Sequence, residues 1–155
     1  MPTAVAVARR SQTPEDDAFL AELYTATRAD ELAVTGWDAA TVAAFCAQQR
    51  AARERWYAAA FPGACAQVLV ADGEPLGRLL THRQAGITYV VDIAVAPSRQ
   101  GRGIGTAVLH AVLDEAGGPV RLTVRRDNPA RRLYERLGFV AVADDGLDLV
   151  LEAAR

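Results

Sequence analysis

Apolar residues recur along this chain with two periods, and the alternation of the two predicts its elements. Between Thr3 and Ala8, Val5 and Val7 alternate with small residues, the period of a short strand. Thr13-Pro14-Glu15-Asp16 then opens a helix, with a capping residue, proline at the first helical position and acids in the first turn. Phe19, Leu20, Leu23 and Tyr24 form its apolar side. Residues 29–37 read as a connection, and Asp38 caps a second helix that runs to about Ala60, where Phe61-Pro62-Gly63 stops it. Strands at Gln67–Ala71 and Leu76–Thr81 flank an Asp72-Gly73 hairpin turn, and Ile87–Val95 is the next strand. Helical spacing returns in Ile104, Ala107, Val108, Ala111 and Val112, ending at Gly117-Gly118-Pro119. Val120–Val124 is a strand. A short helix capped by Asn128 carries Ala130, Leu133, Tyr134 and Leu137 on one face and closes at Gly138; strands at 139–143 and 147–151 form a last hairpin. The order β-α-α-β-β-β-α-β-α-β-β predicts an α/β (α+β) fold, a mixed sheet with helices on its faces.

At the junction between the strand ending in Val95 and the next helix stands Arg99-Gln-Gly-Arg-Gly-Ile-Gly-Thr106. Gly101, Gly103 and Gly105 at alternate positions allow successive N–H groups to converge, and the helix start adds its own unpaired donors. The loop therefore reads as an anion cradle, of a kind that serves several nucleotides. A P-loop requires lysine and a hydroxyl residue after the last glycine, whereas Gly105 is followed by Thr106-Ala107. A dinucleotide fold requires an acid about 20 residues further on, where Arg121–Arg126 bring basic groups instead.

Composition narrows the field. A chain of 155 residues, 51% hydrophobic and 23% charged, reads as one domain, 1–155, with a real core. A net charge of -2 gives no electrostatic case for nucleic acid or an anionic membrane. All 17 basic residues are arginine. No apolar run approaches membrane-spanning length, so the expectation is a cytoplasmic protein. Cys46 and Cys65 have no metal or redox spacing and read as reduced, buried thiols. His82 and His110 read as surface residues, and no metal is implied.

Two blocks together resemble the GNAT superfamily of acetyl-CoA-dependent N-acyltransferases. One is Val91-Asp-Ile-Ala-Val-Ala-Pro-Ser-Arg-Gln-Gly-Arg-Gly-Ile-Gly105, with Gln100, Gly103 and Gly105 as the Gln/Arg-x-x-Gly-x-Gly core; the other is Asn128-Pro-Ala-Arg-Arg-Leu-Tyr-Glu-Arg-Leu-Gly-Phe139. The resemblance implies a mostly antiparallel sheet of six to seven strands with about four helices, its central strands 87–95 and 119–124 splayed around the cofactor. It implies that the amides of Gln100, Gly101, Arg102, Gly103, Ile104, Gly105 and Thr106 hold the CoA pyrophosphate. It also implies that Ile93, Ala94 and Val95 run beside the pantetheine arm, with Asn128 and Arg131 near the cofactor. Asn128 stands six positions before Tyr134, where many family members use seven, so the helix-cap reading of Asn128 stays open beside the cofactor reading.

Acyl transfer to an amine needs a neutral nucleophile, an oxyanion stabiliser and a proton for the departing thiolate. Tyr134 matches the family's usual proton donor, since a phenol of pKa ~10 stays protonated beside a thiol of ~8.5. An α-amine of pKa ~7.7–8.0 is partly neutral near pH 7, whereas a lysine at ~10.4 needs a base. Asp92, an acid inside an apolar strand, is one candidate base, with pairing to an arginine as the structural alternative. Glu31 is the second.

The resemblance places the acceptor site on the first two helices and their connection. Setting Val42 as reference, Phe45, Cys46, Gln49, Arg53, Trp56 and Ala60 share one stripe, in which Gln49 and Arg53 interrupt an apolar face. Arg28, Glu31 and Trp37, in a stretch similar to a subgroup of bacterial family members, complete the acceptor set. The resulting expectation is an N-acetyltransferase passing acetyl directly from acetyl-CoA to a primary amine of a small molecule or peptide in a ternary complex, with CoA as product. The alternative is a non-catalytic acyl-CoA sensor of the same fold. A homodimer is a family-level expectation.

Overall fold

The structure, a computed structural model, describes residues 6–155. Its strands are β1 (Ala8–Ser11), β2 (Cys65–Ala71), β3 (Glu74–Gln84), β4 (Ile87–Val95), β5 (Val120–Arg125), β6 (Val140–Asp144) and β7 (Asp148–Ala153). The helices are α1 (Asp17–Thr27), α2 (Ala29–Ala33), α3 (Ala39–Ala60), α4 (Ile104–Ala116) and α5 (Arg131–Arg136). The seven strands form one sheet in the order β1-β2-β3-β4-β5-β7-β6, antiparallel throughout except for the parallel pair β4–β5. This is the mixed, mostly antiparallel sheet the sequence predicts, with one more helix, α2, inside the expected connection. The first strand lies later than the alternation of valines suggests: β1 begins at Ala8, and Val5 is outside the described residues. Pairing with β2 selects those residues; Ala8 faces Val70 and Ser11 faces Gln67.

Local chemistry accounts for the joints. Asp38 caps α3 by accepting a hydrogen bond from the Thr41 N–H at 2.7 Å. Asp72 and Gly73, at φ 52° and 77°, make the tight β2–β3 turn with both central residues left-handed, as an Asp-Gly hairpin requires. One face of the sheet is covered by α4 and α5: Ile104, Val108, Leu109, Val112 and Leu113 of α4 pack on Leu69, Leu79, Val120, Leu122 and Leu151. On the opposite side α1 and α3 contribute buried Leu20, Leu23 and Cys46. Cys65, in contrast, is exposed at the start of β2 rather than buried.

One bulge decides which side chain reaches which face. Leu80 pairs with Asp92 and Thr81 with Val90, so Val91 is an extra residue in β4. Without it Val90 and Asp92 would share a face. With it Val90 joins the α4-side core, while Asp92 meets arginines from α3 and β3. Alongside, Gly77 lets β3 and β4 close: a Cβ there would overlap the Ala94 carbonyl oxygen and lie 3.0 Å from Leu69 Cδ1. Gly77→Ala is therefore expected to lower stability by about 2–3 kcal/mol, because backbone and buried leucine must both shift. Urea unfolding checks this, and a loss below 0.5 kcal/mol would contradict it.

Candidate active site

Strands β4 and β5 pair only from Thr88–Val90 to Val120–Leu122. Beyond that point β5 stays zipped to β7 up to Arg125, β4 stays zipped to β3 up to Val95, and the sheet opens between them. The opening leaves one edge of residues 91–95 without a strand partner, which is the splay expected of residues 87–95 and 119–124. On the α4 side it leads into a cleft of ≈ 680 Å³ lined by Ile93 and Val95, the glycine loop, and Asn128, Leu133 and Tyr134.

The loop is shaped for an anion. Gly101 and Gly103 both sit at φ 77°, and no atom lies within 4 Å of where a Cβ would stand. The first backbone bond into α4 runs from Ala107 N to Gly103 O, so the preceding turn of amides is not engaged by the helix itself. Gln100 secures the loop by donating from Nε2 to the Val95 carbonyl at 3.0 Å. The space, the open backbone edge and the bare glycines fit an extended pyrophosphate-bearing cofactor.

Tyr134, only 8% exposed, stands at the junction of this cleft with a second cavity. Its ring meets Phe139 edge-on at 6.0 Å between centroids. Burial, reinforced by the negative charge of Asp92, pushes its phenol above the ordinary value. The second cavity, a notch of ≈ 290 Å³, is lined by Tyr57, Asp92, Ile93, Thr123, Arg125, Asn128 and Tyr134 among others. The two cavities share Ile93, Asn128 and Tyr134. Asp92 lies largely buried, with Arg53 Nη1 at 3.7 Å and Arg78 Nη1 at 3.8 Å from Oδ2. Burial pushes its carboxyl above the usual carboxylate range, and the two guanidiniums pull against that shift.

The expected site residues divide sharply. Ile93, Val95, Gln100, Gly101, Gly103, Ile104, Gly105, Thr106 and Asn128 line the cleft together. Ala94 faces the opposite side, beside Arg53 and Asp92. Arg102 is exposed and Arg131 is turned to the Arg126 carbonyl, donating at 2.8 Å; in their place Arg99 and Arg136 line the cleft. Asn128 accepts from Ala130 N at 2.9 Å, so it caps the turn before α5 and still faces both cavities.

The acceptor stripe on α3 needs correcting. Gln49, Trp56 and Ala60 are exposed, and the inward face runs through Cys46, Arg50, Arg53, Glu54 and Tyr57. The helical period sets the spacing of a stripe but not which stripe turns inward; here the inward face carries Arg50, paired with Asp17 of α1, and Arg53, which approaches Asp92, in place of apolar groups. Glu31 is an exposed partner of Arg28 at 2.5 Å, Arg28 stacks on Tyr24 and Phe45, and Trp37 packs edge-on against Phe45. This knot ties α1, α2 and α3 together and lies outside the linings of both cavities that meet at Tyr134. His82 is half-buried against Phe61 rather than at the surface. Tyr57 and Arg78 escaped the sequence reading; Arg78, a charge between Leu76 and Leu80 in a buried strand, carries the same signal that marked Asp92.

The sheet is opened at its centre, with the glycine loop and its cleft on one side of the gap and a polar notch on the other. Residues 15–139 match the acetyltransferase (GNAT) family, and the chain belongs to it. The mycothiol acetyltransferase of Clavibacter sepedonicus is 43% identical over 63 residues, 39% of this chain and 20% of that protein. The N-alpha-acetyltransferase RimI of Mycobacterium tuberculosis is 52% identical over 52 residues, 32% of this chain and 33% of that one. The matches thus span between a fifth and a third of those relatives' lengths. The fold is shared with the PaiA N-acetyltransferase of Thermoplasma acidophilum, solved in complex with coenzyme A, at TM-score 0.73 and 17% identity over 97% of this chain and 99% of that one. No helix among the described residues is long and apolar enough to cross a membrane.

Proposed function

We propose that this protein transfers the acetyl group of acetyl-CoA directly to a primary amine, the α-amine of a peptide or small molecule, with donor and acceptor bound at once. The observation that carries this reading is the meeting of the two cavities at Tyr134, one lined by the anion loop and the other by Asp92. Acetyl-CoA supplies an activated thioester. The amides of residues 100–106 hold its pyrophosphate, and the open edge of Ile93 and Val95 receives its arm. Tyr134 keeps a proton on its hydroxyl for the departing sulfur, and Asp92 takes the proton of the incoming ammonium.

The α-amine is favoured because it is ~10–20% neutral near pH 7 and asks little of its base. A notch of ≈ 290 Å³ suits a small terminal residue, and the name of one relative specifies an N-alpha acceptor. Work in the cytoplasm belongs to the same proposal, since both cysteines are free thiols.

Two measurements test the reading. CoA at a hundredfold its Kd should raise Tm by about 5–10 °C, with ATP and NAD giving no shift. Incubating acetyl-CoA with alanyl, seryl and glycyl dipeptides, a lysine-side-chain peptide and glucosamine, and following free thiol, should show turnover greatest on the dipeptides. Tight CoA binding without turnover on any of them would support an acyl-CoA sensor instead.

A further inference from the structure

Behind the notch lies an array of buried and half-buried charge that the transfer reaction alone does not call for. From α3, Arg53, Glu54 and Tyr57 face Asp92; β3 adds Arg78, α1 adds Tyr24, α5 adds Tyr134 and β5 adds Arg125. Arg78 is 3% exposed and is held bidentate by Glu54, Nη1 to Oε1 at 2.5 Å and Nη2 to Oε2 at 3.0 Å. Arg53 reaches Glu54 at 3.1 Å and lies over the rings of Tyr24 and Tyr57, 4.7 and 5.4 Å from their centroids. Both guanidiniums stop 3.7–3.8 Å short of Asp92 Oδ2, beyond hydrogen-bond reach, and that buried oxygen has no partner. The four inner charges, Arg53 and Arg78 against Glu54 and Asp92, sum to zero, while Arg125 stands exposed at the rim of the notch and pairs with Asp127.

This spacing has a chemical consequence. Two nearby cations favour the charged form of this carboxylate against its burial, yet neither occupies its lone pairs, because Glu54 holds Arg78 and the aromatic rings hold Arg53. We propose that Arg53 and Glu54 are positioning residues of opposite sign for Asp92: Arg53 favours its ionised form, and Glu54 holds Arg78 away from its lone pairs so that it can act as a base. The proposal rests on Asp92 being the base.

The experiment is a ¹³C-carboxyl NMR titration of the whole protein, with the Asp92 resonance assigned by D92N, together with pH profiles of kcat/KM on the best dipeptide of the panel above. R53M is expected to move the Asp92 titration and the acid limb of the profile up by about 1–2 pH units, with R53K between it and the parent. E54Q is expected to move both down and to lower the plateau a few-fold, as a less basic carboxylate accepts a proton less readily. A purely structural role would depress activity at every pH without moving the limb, and that result overturns the proposal, as do shifts of the same sign in R53M and E54Q. If D92N itself keeps the acid limb and plateau, the base assignment fails first. If D92N abolishes the limb while R53M and E54Q leave the titration in place, only the positioning proposal fails. Should R53M melt early, R53K and E54Q carry the comparison.

Discussion

Tyr134→Phe is expected to lower kcat by about 10²–10³-fold while leaving the fold and acetyl-CoA binding in place. Phenylalanine preserves the edge-on contact with Phe139 and the packing of a side chain that is 8% exposed, so unfolding free energy should change by no more than about 1 kcal/mol. What disappears is one hydroxyl at the junction of cleft and notch. Burial and the neighbouring Asp92 charge raise the Tyr134 phenol, which as a proton donor must stay protonated to act. Activity that depends on it is lost as pH rises through that raised value, so no basic limb from Tyr134 is expected below about pH 10. Thiol release at saturating acetyl-CoA, with CoA binding by calorimetry, checks both halves. A variant retaining more than a third of parental kcat would leave Tyr134 as a core residue and move the proton donor elsewhere.

The second large effect belongs to the loop. Gly103→Val is expected to raise the KM for acetyl-CoA by about 10–100-fold, the loss of one or two charge-assisted hydrogen bonds. Gly103 holds φ 77°, a conformation a β-branched L-residue strongly resists, so the loop would rotate and take its amides off the anion. Gly36 provides the control. Its φ is 71° and its Cβ position is equally empty, but it lies outside the cleft lining, so Gly36→Val imposes similar strain without touching the anion site. Equal KM changes in the two variants would attribute the effect to general destabilisation and remove the loop from the binding site.

Much of this architecture was legible because it is written in short-range chemistry. The Asp72-Gly73 turn, the Asp38 cap and the glycine spacing from 101 to 105 each rest on a few neighbouring residues, and each stands where its local energetics put it. The inward face of α3 is not legible in the sequence, because helical phase over 22 residues does not say which stripe turns inward. Arg50 and Arg53 look polar in a sequence, but their stems pack and their charged ends find Asp17, Glu54 and Asp92. Glu31 stood out as an acid near the acceptor segment, and its nearest cation, Arg28, sits three positions away on the same turn.

The order of elements and the glycine spacing from 101 to 105 are readable from sequence because each rests on neighbouring residues, whereas the meeting of that loop with the block around Tyr134 is a contact between distant segments. Where the Asp92 carboxylate lies is set by tertiary structure. The extra residue at Val91 sends the carboxylate to the α3 side, and the sheet's opening beyond Val90 exposes it to the notch. Arg53 approaches it from α3 and Arg78 from the adjoining strand β3. A bulge, a strand separation and a long-range charge array are set by the balance of pairing and burial across the whole sheet, which no local pattern of residues records.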